Sequence, residues 1–410
     1  MKRLFFVNRY FHPDHSATSQ LVSDLAFHLA ASGRHVCVIT SQQLYDDAKF
    51  RLPATETIRG INVVRVPTSQ FGRAGLIGRA VDYFSFYASA WRALRNLVKR
   101  GDVIVAMTDP PLVSIPAMQV ATGRGAHLIN WMQDVYPEVA FELGVPVIRG
   151  PIKGAFAYLR DKTLQMAAAN VVVGQRMRDK ITSLGTATDK IQVIHNWCDD
   201  EQISPVSNAD NPLRRKWGLE NKFVVGYSGN LGRAHEFDTL LAASERLRHD
   251  PRIVFIFIGG GHRMDELERI VKSRRLDASF LLVPYQDRIN LKHSLGVPDV
   301  HWISLKPAVE GMIVPSKFYG IAAAGRPTIA ITARDGEIAR LIQEHNCGLV
   351  IEPGQADALA EAITRLSNDP QSLAAMGQRA RAMLEAHFTR QQALERWSKV
   401  LDGIEQSSVS

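Results

Sequence analysis

Short apolar runs alternate with longer amphipathic stretches along almost the whole chain. Runs of β-branched or aromatic residues predict strands at 4–7, 36–40, 62–66, 103–106, 127–131, 171–173 and 192–194. Between them apolar residues recur every three or four positions, as helices require. The clearest case is 18–31, where Leu21, Leu25 and Leu29 share one helix face and Gly33 stands just past the end. The alternation stops over 199–213, where Pro205 and Pro212 lie among Ser, Asn and Asp residues, and this predicts a connection between domains. It restarts with strands at 223–227, 253–258, 280–283, 300–305, 328–331 and 349–351. A last helix is expected over 389–404, with Leu394, Trp397, Leu401 and Ile404 as its apolar positions.

Such alternation implies parallel sheets covered by helices on both faces, so the expected fold class is α/β with two Rossmann-like, doubly wound domains. The expected bounds are 1–204, 205–385 and a terminal helix in 386–410 that packs back toward the first domain. At 410 residues the chain exceeds what a single core usually supports. Each doubly wound sheet offers a crevice at the carboxyl ends of its strands. Two of them facing each other would enclose a cleft, where helix N-termini and backbone N–H groups meet negative charge.

Composition changes this picture little, and charge changes it more. Apolar residues make up 46% and charged residues 22%, which argues against disorder over most of the length. Three widely spaced cysteines form neither a disulfide framework nor a zinc motif, so the expectation is an intracellular protein with each thiol a small buried residue. The N-terminal apolar run is four residues long, a first strand rather than a secretory signal. No run approaches the roughly 20 residues that cross a bilayer, so any membrane contact is expected to be peripheral. Residues 1–200 hold 23 Lys and Arg against 16 Asp and Glu, leaving 26 against 25 of the totals 49 and 41, so the net charge of +8 lies almost wholly in the first half. Within it, 76–100 combines Tyr83, Phe84, Phe86, Tyr87 and Trp91 with Arg79, Arg92, Arg95, Lys99 and Arg100. Two readings stand: a helix in an anionic headgroup layer, or a packing helix with solvated basic residues. A nucleic-acid partner is not expected, because no nucleic-acid-binding module is present.

Two stretches carry candidate chemistry. Residues 310–327, from Glu310-Gly311-Met312-Ile313 through Pro315-Ser316-Lys317 to Gly325-Arg326-Pro327, follow a strand and open a helix. Ser316 suits the N-cap, and Lys317 adds a mobile cation beside a helix start that suits a pyrophosphate. The second stretch, Gly229-Asn230-Leu231-Gly232-Arg233, leaves the first strand of the second domain. Its glycines permit close approach to a phosphate and Arg233 can pair with one bidentately. Gly259-Gly260-Gly261 is read as turn punctuation only.

Together with Phe11-His12-Pro13, Gly33-Arg34-His35-Val36, Trp131-Met132-Gln133-Asp134-Val135-Tyr136-Pro137-Glu138 and His195-Asn196-Trp197-Cys198-Asp199, these motifs resemble, over nearly the whole chain, the retaining glycosyltransferases of family 4 with the GT-B fold. The nearest branch is that of colanic acid, exopolysaccharide and capsule assembly. The resemblance implies a cytoplasmic enzyme, peripheral on the inner face of the membrane, that moves a sugar from a UDP- or GDP-sugar to a saccharide carried on polyprenyl diphosphate. It implies that the second domain holds the donor, with Glu310 at the sugar hydroxyls and Gly311, Met312 and Ile313 in the loop near sugar and phosphates, and that Asp134 serves the acceptor. It implies no metal and no cofactor beyond the donor. The chain departs from the family at Gly320, where a ribose-binding Glu is usual, at Asn230 and His235-Glu236, where the phosphate-binding Arg and Lys-Gly fall, and at His15-Ser16-Ala17-Thr18, where a glycine-rich loop is usual. Arg233 and Lys317 are therefore expected to supply the phosphate cations, while Ser16 and Ala17 still allow close approach. Tyr285 and Arg288, after the third strand of the second domain, have two readings, near the base or as exposed loop residues. The alternatives left open are an epimerase or phosphorylase on the same plan, or a silent scaffold.

Overall fold

The structure is a computed structural model that describes residues 2–47, 50–72, 75–145 and 150–406; the last four residues of the expected 386–410 segment lie outside the described residues. The chain divides into two compact units, one of Met1–His195 with Ala393–Ser410 and one of Asn196–Gln392.

The first unit is built on an eight-stranded sheet of β1 (Leu4–Val7), β2 (Val36–Ser41), β3 (Thr55–Ile58), β4 (Ile61–Val66), β5 (Val103–Ala106), β6 (His127–Met132), β7 (Ala169–Val172) and β8 (Ile191–Val193). The spatial order is β3-β4-β2-β1-β5-β6-β7-β8, with every pair parallel except β3 with β4. β1 and β5 are buried throughout, which is why they read as unbroken apolar runs. β3 is the strand that the apolar pattern does not predict. It is a four-residue edge strand, Thr-Glu-Thr-Ile, half of it exposed. It returns to β4 through Arg59 and Gly60, both at positive φ as a two-residue hairpin turn needs. The closing helix Arg390–Gln406 packs Trp397 at a tilt against Trp131 of β6, with 4.6 Å between centroids, and Arg34 pairs with Asp402 and Glu405 at its far end.

The second unit holds a six-stranded parallel sheet of β9 (Phe223–Asn230), β10 (Ile253–Gly260), β11 (Phe280–Val283), β12 (Val300–Ser304), β13 (Thr328–Ile331) and β14 (Gly348–Ile351), in the order β11-β10-β9-β12-β13-β14. Val225, Tyr227, Phe255, Phe257 and Trp302 fill one face, while Val224, Ile256 and Ile258 fill the other. Segment 199–213, expected as a connection between domains, is fastened to this unit. Asn208 bonds Asp299 at 2.6 Å and Arg326 at 2.8 Å, and Asn211 caps the helix Pro212–Lys216. Its asparagine side chains bond to the loops that lead into β12 and β13 and to the start of the helix Pro212–Lys216.

Candidate functional site

In the second unit the strand order reverses between β9 and β12, so the crevice of a doubly wound sheet lies where these two strands end. The two motif stretches leave the sheet at that place. β9 and β10 stay paired to their last residues, Gly229 opposite Gly259 and Asn230 opposite Gly260, and the Leu231 amide donates to the Gly260 carbonyl at 2.8 Å. A Cβ on Gly259 would stand 2.3 Å from the Gly229 oxygen, and one on Gly261 would stand 2.4 Å from Asn230 Oδ1. The glycine triplet is thus more than punctuation, because it lets two loops interlock.

Gly229 has φ +119, and a Cβ there would meet Lys317 Cε at 2.7 Å. The space that the sequence offers to a phosphate is therefore filled by the lysine stem. It guides the ammonium to a position 5.2 Å from the Tyr227 ring centroid and 3.5 Å from His235 Nε2. Among the described residues Lys317 pairs with no carboxylate, and burial pushes its pKa down to about 8. His235 is fixed in turn. Its Nδ1 lies 2.8 Å from the Ser304 carbonyl at the end of β12, and burial, followed by the Lys317 charge, pushes its pKa down to about 3. Gly232 is open, with only Asn230 Nδ2 within 4 Å of a Cβ placed there. Arg233 is exposed, 3.4 Å from His262 Nε2.

Glu310 follows β12 and is anchored across the sheet: its carboxylate accepts from the Glu337 amide at 2.9 Å, at the start of the helix Glu337–His345, and from Thr332 Oγ1 at 3.2 Å. Gly336 leaves room for it, since a Cβ would lie 2.7 Å from Glu310 Oε2 and displace the carboxylate. Gly311 turns the chain at φ +74, Met312 is buried and Ile313 half-buried. Ser316 occupies the N-cap position of Lys317–Ala323, but its hydroxyl makes no capping bond because its backbone is already helical. Tyr285, in the loop after β11, is exposed and lays a ring edge 3.1 Å from where Gly260 would carry a Cβ; Arg288 pairs with Asp199 at 3.3 Å. The structure thus joins Gly229, Asn230 and Lys317, brings Tyr285 to the glycine triplet, and ties Glu310 to the next helix. The sequence reading missed His235 as a contact of Lys317; its one signal was that it stands where relatives carry a cation.

In the first unit the order reverses between β1 and β5. Asn8 Nδ2 lies 3.4 Å from Thr18 Oγ1, which in turn lies 3.4 Å from Asp109 Oδ2, and the Gln133 amide donates to Thr108 Oγ1 at 3.3 Å. Three loops are thereby joined around Asp134. Burial first and the Asp109 charge second push the Asp134 pKa up to about 7. Its motif is locked from behind, because buried Arg160 makes a two-pronged bond to Glu138 at 2.7 and 2.8 Å and donates to the Tyr136 carbonyl. Asp134 does not cap the following helix, whose N-cap is Pro137. Ser16 stands at the N-cap of the helix Ala17–Ala31 without a capping bond, its amide donating to Asp14 at 2.8 Å; Ala17 is exposed.

The model of a glycosyl transferase 4-like domain matches residues 17–197, and that of glycosyl transferases group 1 matches residues 210–383. This chain belongs to the family 4 glycosyltransferases. It is therefore a transferase, not an epimerase or a silent scaffold. The glycosyltransferase is similar to a probable glycosyltransferase, WbjE, of Pseudomonas aeruginosa, with 26% identity over 74% of this chain and 75% of the relative. It is also 25% identical to the putative colanic acid biosynthesis glycosyl transferase WcaI of Escherichia coli K12, over 88% of this chain and 91% of that one. Its fold is GT-B, like that of Anabaena Alr3699/HepE in complex with UDP and glucose, at a TM-score of 0.74, 15% identity and coverage of 98% and 100%. Among the described residues no helix is long and apolar enough to cross a membrane, and no group of three or more His, Cys, Asp or Glu is arranged to hold a metal.

Proposed function

We propose that this enzyme is a retaining glycosyltransferase that uses a UDP- or GDP-sugar and extends a lipid-linked saccharide during exopolysaccharide, colanic acid or capsule assembly. The observation that carries the reading is Lys317. A desolvated ammonium without a carboxylate, set where β9 and β12 part, is a cation in want of an anion. A nucleoside diphosphate supplies one, and the relatives support this choice through the UDP bound to HepE. The diphosphate leaves the anomeric carbon and an acceptor oxygen joins it on the same face, while the acceptor proton passes to a phosphate oxygen. Lys317 and Arg233 neutralise the departing charge without a metal. Glu310, anchored by Thr332 and the Glu337 amide, orients the sugar, with Gly311, Met312 and Ile313 lining its approach; Asn230, Gly232 and Ser316 border the phosphates, Gly229 makes room for the Lys317 stem, and Tyr285 borders the base. Asp134 positions the acceptor, with Ser16 and Ala17 nearby.

Membrane placement rests on the helix Leu76–Leu97. Phe86, Ala90 and Leu94 enter the core, yet Ile77, Val81 and Phe84 form an exposed apolar stripe on its first turns beside exposed Arg79. Both readings of 76–100 thus have residues to carry them. We place the enzyme in the cytoplasm, on the inner face of the membrane.

The test is ligand-induced stabilisation. UDP or GDP at about 100 times its dissociation constant stabilises the unit that binds it by about 2.7 kcal/mol, a rise of several degrees in melting temperature. Replacing Lys317 and Arg233 together with Ala should remove both that rise and acceptor-dependent transfer while the ligand-free protein still unfolds in one cooperative transition. Full turnover in the double variant overturns the reading.

A further inference from the structure

The ammonium of Lys317 has three N–H bonds and sits in a place where water is scarce. Tyr227 offers it the face of a ring and Gly229 only a channel for its stem. The polar side-chain atom beside it is His235 Nε2, at 3.5 Å. A carbonyl oxygen can only accept, so the 2.8 Å contact with Ser304 puts the ring hydrogen on Nδ1 and leaves Nε2 as a lone pair facing the lysine. Protonation of Nε2 would set two cations against each other, and the surroundings oppose it. Besides Lys317, the titratable groups around the ring are Arg263, which donates to the His235 carbonyl at 2.8 Å, Tyr227, edge-on at 5.7 Å, and the adjacent Glu236, whose Oε1 is turned to the Thr239 amide at 2.7 Å. A carboxylate in this position would hold the ammonium firmly but cancel the charge that a phosphate needs. A neutral imidazole satisfies one N–H and leaves the charge intact.

We propose that His235 is a positioning residue that aims Lys317: held in one tautomer by the Ser304 carbonyl, it accepts one hydrogen bond from the ammonium and leaves the others for the donor diphosphate. This rests on the diphosphate reading of Lys317 given above. It also explains the departure from the family at this position, where a second cation has given way to a group that serves the first.

The experiment is a double-mutant cycle on the full chain, read by calorimetric titration with UDP and with GDP. His235→Asn keeps a polar group near Nδ1 but does not reach the lysine, whereas His235→Gln places its amide oxygen near Nε2. We expect His235→Asn to weaken binding about tenfold and His235→Gln to stay within about threefold of the wild type. Combined with Lys317→Met, His235→Asn should cost nothing further, because both act on one contact. The pH at which binding fails on the alkaline side should fall in His235→Asn, since losing an acceptor favours the neutral amine. Wild-type affinity in His235→Asn, or losses that add in the double variant, overturns the proposal. Should His235→Asn not fold, His235→Gln decides alone: a loss as large as that of Lys317→Met overturns it. Unchanged binding in Lys317→Met would instead sink the diphosphate reading itself, whereas loss in Lys317→Met with none in His235→Asn sinks only the role of His235.

Discussion

Asp134 costs the fold stability for as long as it is charged. Its pKa is raised from 3.8 to about 7, so the penalty is absent below the unfolded value, grows between the two and is complete above the folded one. A gap of that size corresponds to roughly 4 kcal/mol at full desolvation, and the remaining solvent contact of Asp134 reduces it. Asp134→Asn should therefore raise the ligand-free melting temperature at about pH 8, leave it unchanged at about pH 4, and abolish transfer. Melting curves at the two pH values check this, and an equal effect at both would remove burial of charge as the cause. The identity of Asp134, Glu310 and Lys317 as candidates was legible from motifs. The surroundings of two of them were not, because Asp109, whose charge acts on Asp134, and His235, which lies beside the Lys317 ammonium, stand 25 and 82 positions away along the chain.

At the scale of the element, the helix Leu76–Leu97 shows how one segment serves two surroundings. Its buried face is set by Phe86, Ala90 and Leu94, while Ile77 and Phe84 stay exposed at 79% and 61%. Vesicles containing anionic lipid should sediment the protein at low salt and release part of it at high salt, since screening removes attraction but not apolar insertion. Ile77→Ser with Phe84→Ser should lower the fraction that resists salt, and equal recovery of wild type and variant would remove this helix from the contact. Among the described residues, thirteen of the fourteen strands stand where their apolar runs predict, because helices cover the faces of each sheet. β3 escaped because an edge strand that is half exposed has no such run. The glycine triplet at the end of β10 is hidden for a related reason: its role is set by the neighbouring loop, not by its own sequence.

For the whole molecule, the proposed chemistry needs a carboxylate in one unit and an ammonium in the other. Transfer should rise as pH passes about 7, where Asp134 ionises, and fall as it passes about 8, where Lys317 loses its proton. The profile of kcat/KM against pH is then a narrow bell, and a flat profile between about pH 6 and 9 would refute the pairing. Two doubly wound sheets were readable from alternation alone, because parallel strands and covering helices differ in period. The bonds that hold 199–213 to the second unit were not, since polar residues that bond to protein look like polar residues that bond to water. The helix Arg390–Gln406 closes the first unit on Trp131, although every strand of that unit precedes residue 196. During synthesis the first sheet must therefore wait, with one flank of β6 uncovered, until the ribosome has made the entire second unit.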